Sequence, residues 1–256
     1  MLYKLHLIDG YIQTIFIAEY NDKILILDGG SRPDVKLIED FVCKTLKRPI
    51  HDIKLLFVSH THPDHLAAAQ ILRKKYGIPI AAYFEVDEWY KGFAGSLQHF
   101  FDVAMGWYVV LAKKLQWKYF WHPKTVNPDY KMNDSDKLPG FDDWEIIHAP
   151  GHTLVDCLLY NSDNQMLYAA DTLVMLNNNR KALPFPITDF DKMELSLIKL
   201  SKLKIKTLLI AHGGVIDNFD AEEFLKYIPD LGRKLALILK AFRRIAMFSP
   251  MLKKQN

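Results

Sequence analysis

Apolar positions along the chain change period several times, and each change marks an element. Leu2 to Ile8, Ile12 to Tyr20 and Lys23 to Leu27 are rich in β-branched and aromatic residues. Turn signals at Asp9-Gly10 and Asn21-Asp22 divide them, which predicts three strands. Asp28-Gly29-Gly30 ends the third, and Pro33 opens a helical pattern carrying Val35, Leu37, Ile38, Phe41, Val42 and Leu46. Lys54 to Ser59 is a short apolar run, as a strand buried on both faces requires. Leu66 to Tyr76 then reads as a helix stopped by Gly77, and Ile78 to Tyr83 as another strand.

Helical spacing dominates from Phe84 to about Phe120, and Pro123 to Gly140 is polar enough to predict loop. Strands return at Trp144 to His148, Asp156 to Asn161 and Gln165 to Ala169, with a hairpin turn signal at Asp163-Asn164. Asn177 to Pro186 reads as irregular, Asp191 to Leu203 as helix and Lys206 to Ala211 as strand. Ala221 to Phe248 reads as a long helical region broken after Pro229. Both halves run strands first and then alternate strand with helix. That order predicts an α/β protein with two sheets packed face to face and helices outside.

The chain has 256 residues, half of them hydrophobic, which is ample for a sizeable core in a single domain. A formal charge of +3 is far from the dense basic stripe of a dedicated nucleic-acid binder, so nucleic acid is not an expected partner. Two cysteines, Cys43 and Cys157, lie far apart in no paired motif, which fits a reducing compartment. No signal-peptide pattern opens the chain and no apolar run reaches membrane-span length. The expectation is a soluble, cytoplasmic protein acting on a small molecule, with a homodimer as an open option.

The strongest chemical signal is His60-Thr61-His62-Pro63-Asp64-His65, placed directly after the buried strand. Three imidazoles and a carboxylate in six residues suit zinc, iron or manganese, and the absence of thiolate argues against a structural zinc clip. Three further fragments each follow an apolar strand: Ala149-Pro150-Gly151-His152-Thr153, Ala169-Ala170-Asp171-Thr172 and Ala211-His212-Gly213-Gly214. In each, a strand delivers one His or Asp into a turn of small residues. His6, His51, His99 and His122 match no ligand motif, His148 reads as a strand-end residue, and Cys157 reads as a small buried hydrophobe.

These four fragments, in this order, are similar to the motifs of the metallo-β-lactamase superfamily. The resemblance implies a four-layer αβ/βα sandwich with a dinuclear site at one edge of the sheets. It implies that His60, His62 and His152 hold one metal, that Asp64, His65 and His212 hold the second, and that Asp171 bridges them. Asp28 would brace the site from behind. The expected cofactor is a pair of divalent ions, zinc first, with iron or manganese compatible. Two such ions about 3.5–4 Å apart can share a water, turn it to hydroxide and polarise a carbonyl or phosphoryl oxygen. Asp64 is the candidate for carrying a proton to the leaving group.

Within the family, ligands that are all His or Asp resemble glyoxalase II, the acyl-homoserine lactonases and the RNA-processing nucleases more than enzymes that open β-lactams. Each likeness is incomplete. The glutathione-binding Cys-Gly and Arg pattern of glyoxalase II is missing from Thr172 to Lys181, and Val174 stands where the lactonases have Tyr. The nucleases usually add an RNA-binding arm or a second domain, and neither is visible. The expected function is therefore hydrolysis of an ester, lactone or thioester with a partly hydrophobic acyl group, by attack of a bridging hydroxide. A persulfide-dioxygenase-like single-iron oxidoreductase and a phosphodiesterase or nuclease remain alternatives.

Thirteen aromatic residues lie between Tyr83 and Trp121, including four of the five tryptophans. Residues 84–140 are expected to form a helical insertion, either a cap that supplies a hydrophobic substrate pocket or a packing or dimer surface. The run from Leu235 to Lys254 mixes apolar residues with Lys and Arg, and reads as a helix docked on the domain or lying on a membrane surface.

Overall fold

Strand pairing follows the alternation of apolar runs and turns, and it produces two mixed sheets. The computed structural model describes residues 2–176, 180–231 and 248–253. The chain divides into two compact units. The first comprises Met1–Asp87 with His99–Met132, and the second Glu88–Gln98 with Asn133–Asn256.

In the first unit, β1 (Tyr3–Asp9), β2 (Thr14–Tyr20), β3 (Ile24–Ile26), β4 (Ile53–Val58), β5 (Ile80–Tyr83) and β6 (Tyr130–Met132) form one six-stranded sheet in sequence order. β1, β2 and β3 are antiparallel neighbours, while β3, β4, β5 and β6 run parallel. β3 is buried throughout, and β4 everywhere but Lys54, as a strand covered on both faces must be. Helix α1 (Asp34–Asp40) continues through a widened π turn at Phe41–Thr45, filling the span that the periodicity predicts.

Helix α2 (Pro63–Tyr76) starts three residues earlier than the apolar pattern indicates. Pro63 supplies a fixed φ where no N–H is needed, and Asp64 in the first turn favours the positive end of the helix dipole. At the other end Gly77 adopts φ +71° and its N–H caps the Arg73 carbonyl. Gly29 is where α2 meets the sheet. A Cβ there would lie 2.3 Å from the His65 carbonyl oxygen and 2.8 Å from the Ala69 Cβ.

Helix α3 (Gly92–Ala112) gives its first residues, to Gln98, to the second unit and the rest to the first. It stops short of the predicted Phe120. Lys114 takes a positive φ, the Leu115 N–H turns back to the Val110 carbonyl, and the Tyr11 hydroxyl donates to the Gln116 carbonyl. The returning segment buries Phe120 against Ile12 and Val110. Gly106 makes room for it, since a Cβ there would meet the Phe120 ring at 2.2 Å. The aromatics thus divide. Trp89, Tyr90 and Phe120 are core, whereas Phe93, Phe100, Tyr108, Trp117 and Tyr119 are exposed.

In the second unit, β7 (Lys137–Leu138), β8 (Phe141–His148), β9 (Cys157–Asn161), β10 (Met166–Tyr168), β13 (Thr207–Ile210) and β14 (Gly214–Asp217) form a sheet of order β14-β13-β10-β9-β8-β7. β11 (Val174–Met175) and β12 (Lys181–Ala182) pair separately. The Asn161 side chain accepts from the Asn164 N–H at 3.0 Å, which closes the β9–β10 hairpin. Helix α4 (Phe190–Leu200) begins where the Asp189 carboxylate accepts from the Lys192 N–H.

Three segments differ from the sequence expectation. The polar stretch 123–140 is not all loop, because β6 and β7 are short edge strands within it. Part of 177–186 pairs as β12. Ala221–Leu231 is a 3₁₀ helix containing Pro229. The rest of the predicted C-terminal helix, and most of the amphipathic run 235–254, lie outside the described residues.

Two expectations follow. Gly29→Ala should cost about 2 kcal/mol in denaturant unfolding, because backbone must move to admit the methyl, whereas Gly77→Ala, in open space, should cost about 1 kcal/mol from its left-handed conformation alone. The second concerns His122, whose imidazolium form burial disfavours so strongly that its pKa is pushed down to about 3. Its Nδ1 pairs with the Pro123 carbonyl at 2.8 Å. Unfolded, it takes up a proton near pH 6.5, so stability should be full above that and decline as pH falls toward about 3. Unfolding free energies between pH 7 and 4 should fall less steeply for His122→Asn than for wild type.

Candidate metal centre

All the ligand motifs sit at the ends of strands, and strand register decides which of them meet. In the first unit β3 and β4 are parallel, with Ile26 beside Leu56. Two residues further on, Asp28 comes beside the end of β4, and its Oδ1 accepts from the Ser59 N–H at 3.1 Å. The chain then passes through His60, Thr61 and His62 into α2. Ser59, His60, Thr61 and His65 are all buried.

Asp28 is the organiser of this half. It is 2% exposed and accepts four hydrogen bonds, from the N–H groups of Gly29 and Ser59, from Ser59 Oγ at 2.6 Å and from His65 Nδ1 at 2.6 Å. Ser59 Oγ also lies 3.0 Å from His60 Nδ1. Nε2 of His60 and Nδ1 of His62 approach each other to 3.0 Å. On the far side of the His62 ring, Nε2 is 3.5 Å from the Asp102 carboxylate. Asp64 Oδ2 stands 3.8 Å from His65 Nε2.

In the second unit the same logic holds. β10 and β13 are parallel, with Tyr168 beside Leu209. Three residues beyond that pair come Asp171 on one strand and His212 on the other. His212 Nε2 lies 3.4 Å from Asp171 Oδ1, and His152 Nε2 lies 3.6 Å from Asp171 Oδ2. One carboxylate therefore meets an imidazole at each oxygen. His152 sits in the connection between β8 and β9, and its Nδ1 pairs with the Pro186 carbonyl at 2.7 Å. That connection is tied by Asp156, which accepts from the Thr153 N–H at 2.6 Å and from the Thr153 hydroxyl. Gly151 is required here, because a Cβ would come within 2.7 Å of Met193 on α4. Gly213 is required beside His212 for the same reason, with Met175 Cβ 2.4 Å away.

The donor chemistry suits a divalent ion. A metal-holding imidazole offers one nitrogen and has the other fixed by a protein group, which sets the tautomer and the ring orientation. His60, His62, His65 and His152 each have one ring nitrogen beside such a group: Ser59, Asp102, Asp28 and Pro186 respectively. The opposite nitrogens, His60 Nε2 and His62 Nδ1 in one unit and His152 Nε2 in the other, lie next to further donor atoms.

Asp102 is the residue that sequence reasoning missed. It is the single charged residue of α3 and is buried there, and that isolation in an apolar helix was the available signal. The remaining histidines and Cys157 behave as structural groups. His99 Nε2 pairs with the His122 carbonyl, and His148 Nε2 with the Leu154 carbonyl. Burial lowers the pKa of both rings and raises that of the Cys157 thiol.

Residues 8–212 match the family model described as "Metallo-beta-lactamase superfamily". Among curated proteins, the chain is 24% identical to a hydroxyacylglutathione hydrolase of Pelagibacter ubique over 78% of its own length, and 23% identical to a probable metallo-hydrolase of Bacillus subtilis over 63%. Each match spans 64% of the relative's length. Among solved structures, an archaeal metallo-beta-lactamase superfamily protein from Sulfolobus tokodaii superposes with a TM-score of 0.63 at 17% identity, covering 99% of both chains. Its likeness is one of fold. With four-fifths of its length matched by the family model, two mixed sheets flanked by helices and His/Asp motifs at the strand ends, the chain belongs to the metallo-β-lactamase superfamily.

Proposed function

We propose that this protein is a dinuclear metal-dependent hydrolase of an ester, lactone or thioester carrying a partly hydrophobic acyl group. The observation that carries the reading is that four of the five motif histidines, His60, His62, His65 and His152, have a protein group beside one ring nitrogen. In this proposal His60, His62 and His152 would hold one ion together with Asp171, while Asp64, His65 and His212 would hold the second, and Asp171 would be shared by both. The carboxylate of Asp171, with an imidazole at each oxygen, supports the bridging role. Zinc is the expected metal. When bound, two such ions bring a shared water near neutral pKa and polarise the scissile carbonyl.

The side chains supply the rest. Asp28 and Ser59 hold His65 and His60 in one tautomer, and Asp102 does the same for His62 from α3. Asp64, partly exposed at the first turn of α2, carries a proton to the leaving group through Oδ2. Asp102 also sets α3 beside the His-x-His segment. Phe101 and Met105, half-buried on the same stretch of helix, are the residues proposed to meet the acyl chain. A relative named for hydrolysis of an acylated glutathione is consistent with carbonyl chemistry.

Protein purified without added metal should carry about two zinc or manganese ions per chain by elemental analysis. One iron per chain with oxygen uptake on persulfides would overturn the proposal, and so would cleavage confined to phosphodiesters. Asp28→Asn should weaken metal retention against a chelator about 10–100-fold. Phe101→Ala should lower kcat/KM for long acyl substrates about tenfold and leave an acetyl ester nearly unchanged. Equal loss on both would remove Phe101 from the acyl site.

A further inference from the structure

The end of α3 and the segment that returns from it carry a surface that neither the core nor the metal centre uses. Tyr108 and Leu111 are 65% and 69% exposed on the last turns of the helix. Trp117 and Tyr119 are 59% and 53% exposed on the returning strand of chain. The two stretches lie side by side, with the Trp107 and Trp117 rings 5.0 Å apart. Scattered apolar side chains on a surface are ordinary, but four large ones on two adjoining stretches make a candidate docking surface.

Its charge identifies the occupant. Between Asp102 and Asp129 the chain has four lysines, Lys113, Lys114, Lys118 and Lys124, with no Asp, Glu or Arg. Lys114 and Lys118 are exposed within the patch itself, and Lys118 Nζ lies 5.2 Å from the Tyr11 ring. Tryptophan and tyrosine settle at the boundary between acyl chains and headgroups, and lysine extends a charged end past an apolar stem to reach phosphate. A second copy of the chain is a poor fit, because a two-fold axis through the patch would set these lysines against one another. Arg32, whose guanidinium lies over the Tyr119 ring at 4.9 Å, adds a further cation to the patch.

We propose that this aromatic and lysine surface docks the protein on an anionic lipid bilayer, as a peripheral contact that does not span it. No helix among the described residues is long and apolar enough to cross a membrane. The inference stands apart from the choice of substrate, since it rests on residues that line no part of the proposed catalytic centre.

The test is co-sedimentation of the metal-loaded full chain with phosphatidylcholine vesicles, with and without phosphatidylglycerol. Binding is expected only to the anionic vesicles, with a blue shift of tryptophan emission and weakening in high salt. Trp117→Ala should reduce partitioning about tenfold, and the Lys114→Glu and Lys118→Glu double variant more than about twentyfold, at about fivefold per lysine. Thermal unfolding checks that the variants fold, and Trp117→Phe, which keeps the ring, should restore most of the binding. Three results would overturn the proposal: no binding to anionic vesicles, binding that survives the substitutions, or a patch-dependent dimer or single-stranded oligonucleotide complex in place of vesicle binding.

Discussion

A carboxylate buried without partners would cost several kcal/mol, and the first unit is organised around meeting that demand at Asp28. Its oxygens take hydrogen bonds from the turn after β3, from both main chain and side chain at the end of β4, and from an imidazole in the first turn of α2. Removing any one of these elements leaves a charge or a polar donor buried and unmet. The site is therefore rigid for the same reason that the unit is stable. Gly29 belongs to the same constraint, because a side chain there would hold α2 away from the carboxylate it must reach.

The second unit reaches its geometry by register. Two parallel neighbours, β10 and β13, end together, so the third residue past the paired position on each strand falls side by side. That places Asp171 and His212 within 3.4 Å without any direct bond in the chain between them. His152 arrives on a connection held by its own Thr153 and Asp156 and by the carbonyl of Pro186. Small residues recur at these turns because α4 and the β11 segment press against them, leaving no room for a side chain at Gly151 or Gly213.

Helix α3 unites the two surfaces the proposals concern. One face carries Asp102 to His62, and its last turns expose Tyr108 and Leu111 next to the lysine-bearing segment that follows the helix. A single amphiphilic helix can do both, since residues on opposite sides of it answer to different environments.

The sequence by itself singled out the candidate metal-donor residues, because such side chains in tight spacing after apolar strands are rare outside a metal site. His60, His62, Asp64, His65, His152, Asp171 and His212 were legible as candidates, as were the buried strands β3 and β4 and the end of α2 at Gly77. The edge strands β6 and β7 were not, since backbone pairing with a distant partner sets them rather than side-chain period. Asp102 was not assigned a role, although it is the one charge in an apolar helix, because its meaning depends on a contact forty residues away in the chain. Which aromatics are core and which are surface was also undecided, because periodicity reports a helix face but not what covers it. Only the tertiary structure decides such matters: they depend on which strands and helices become neighbours, and neighbours distant in sequence are chosen by the whole chain's packing.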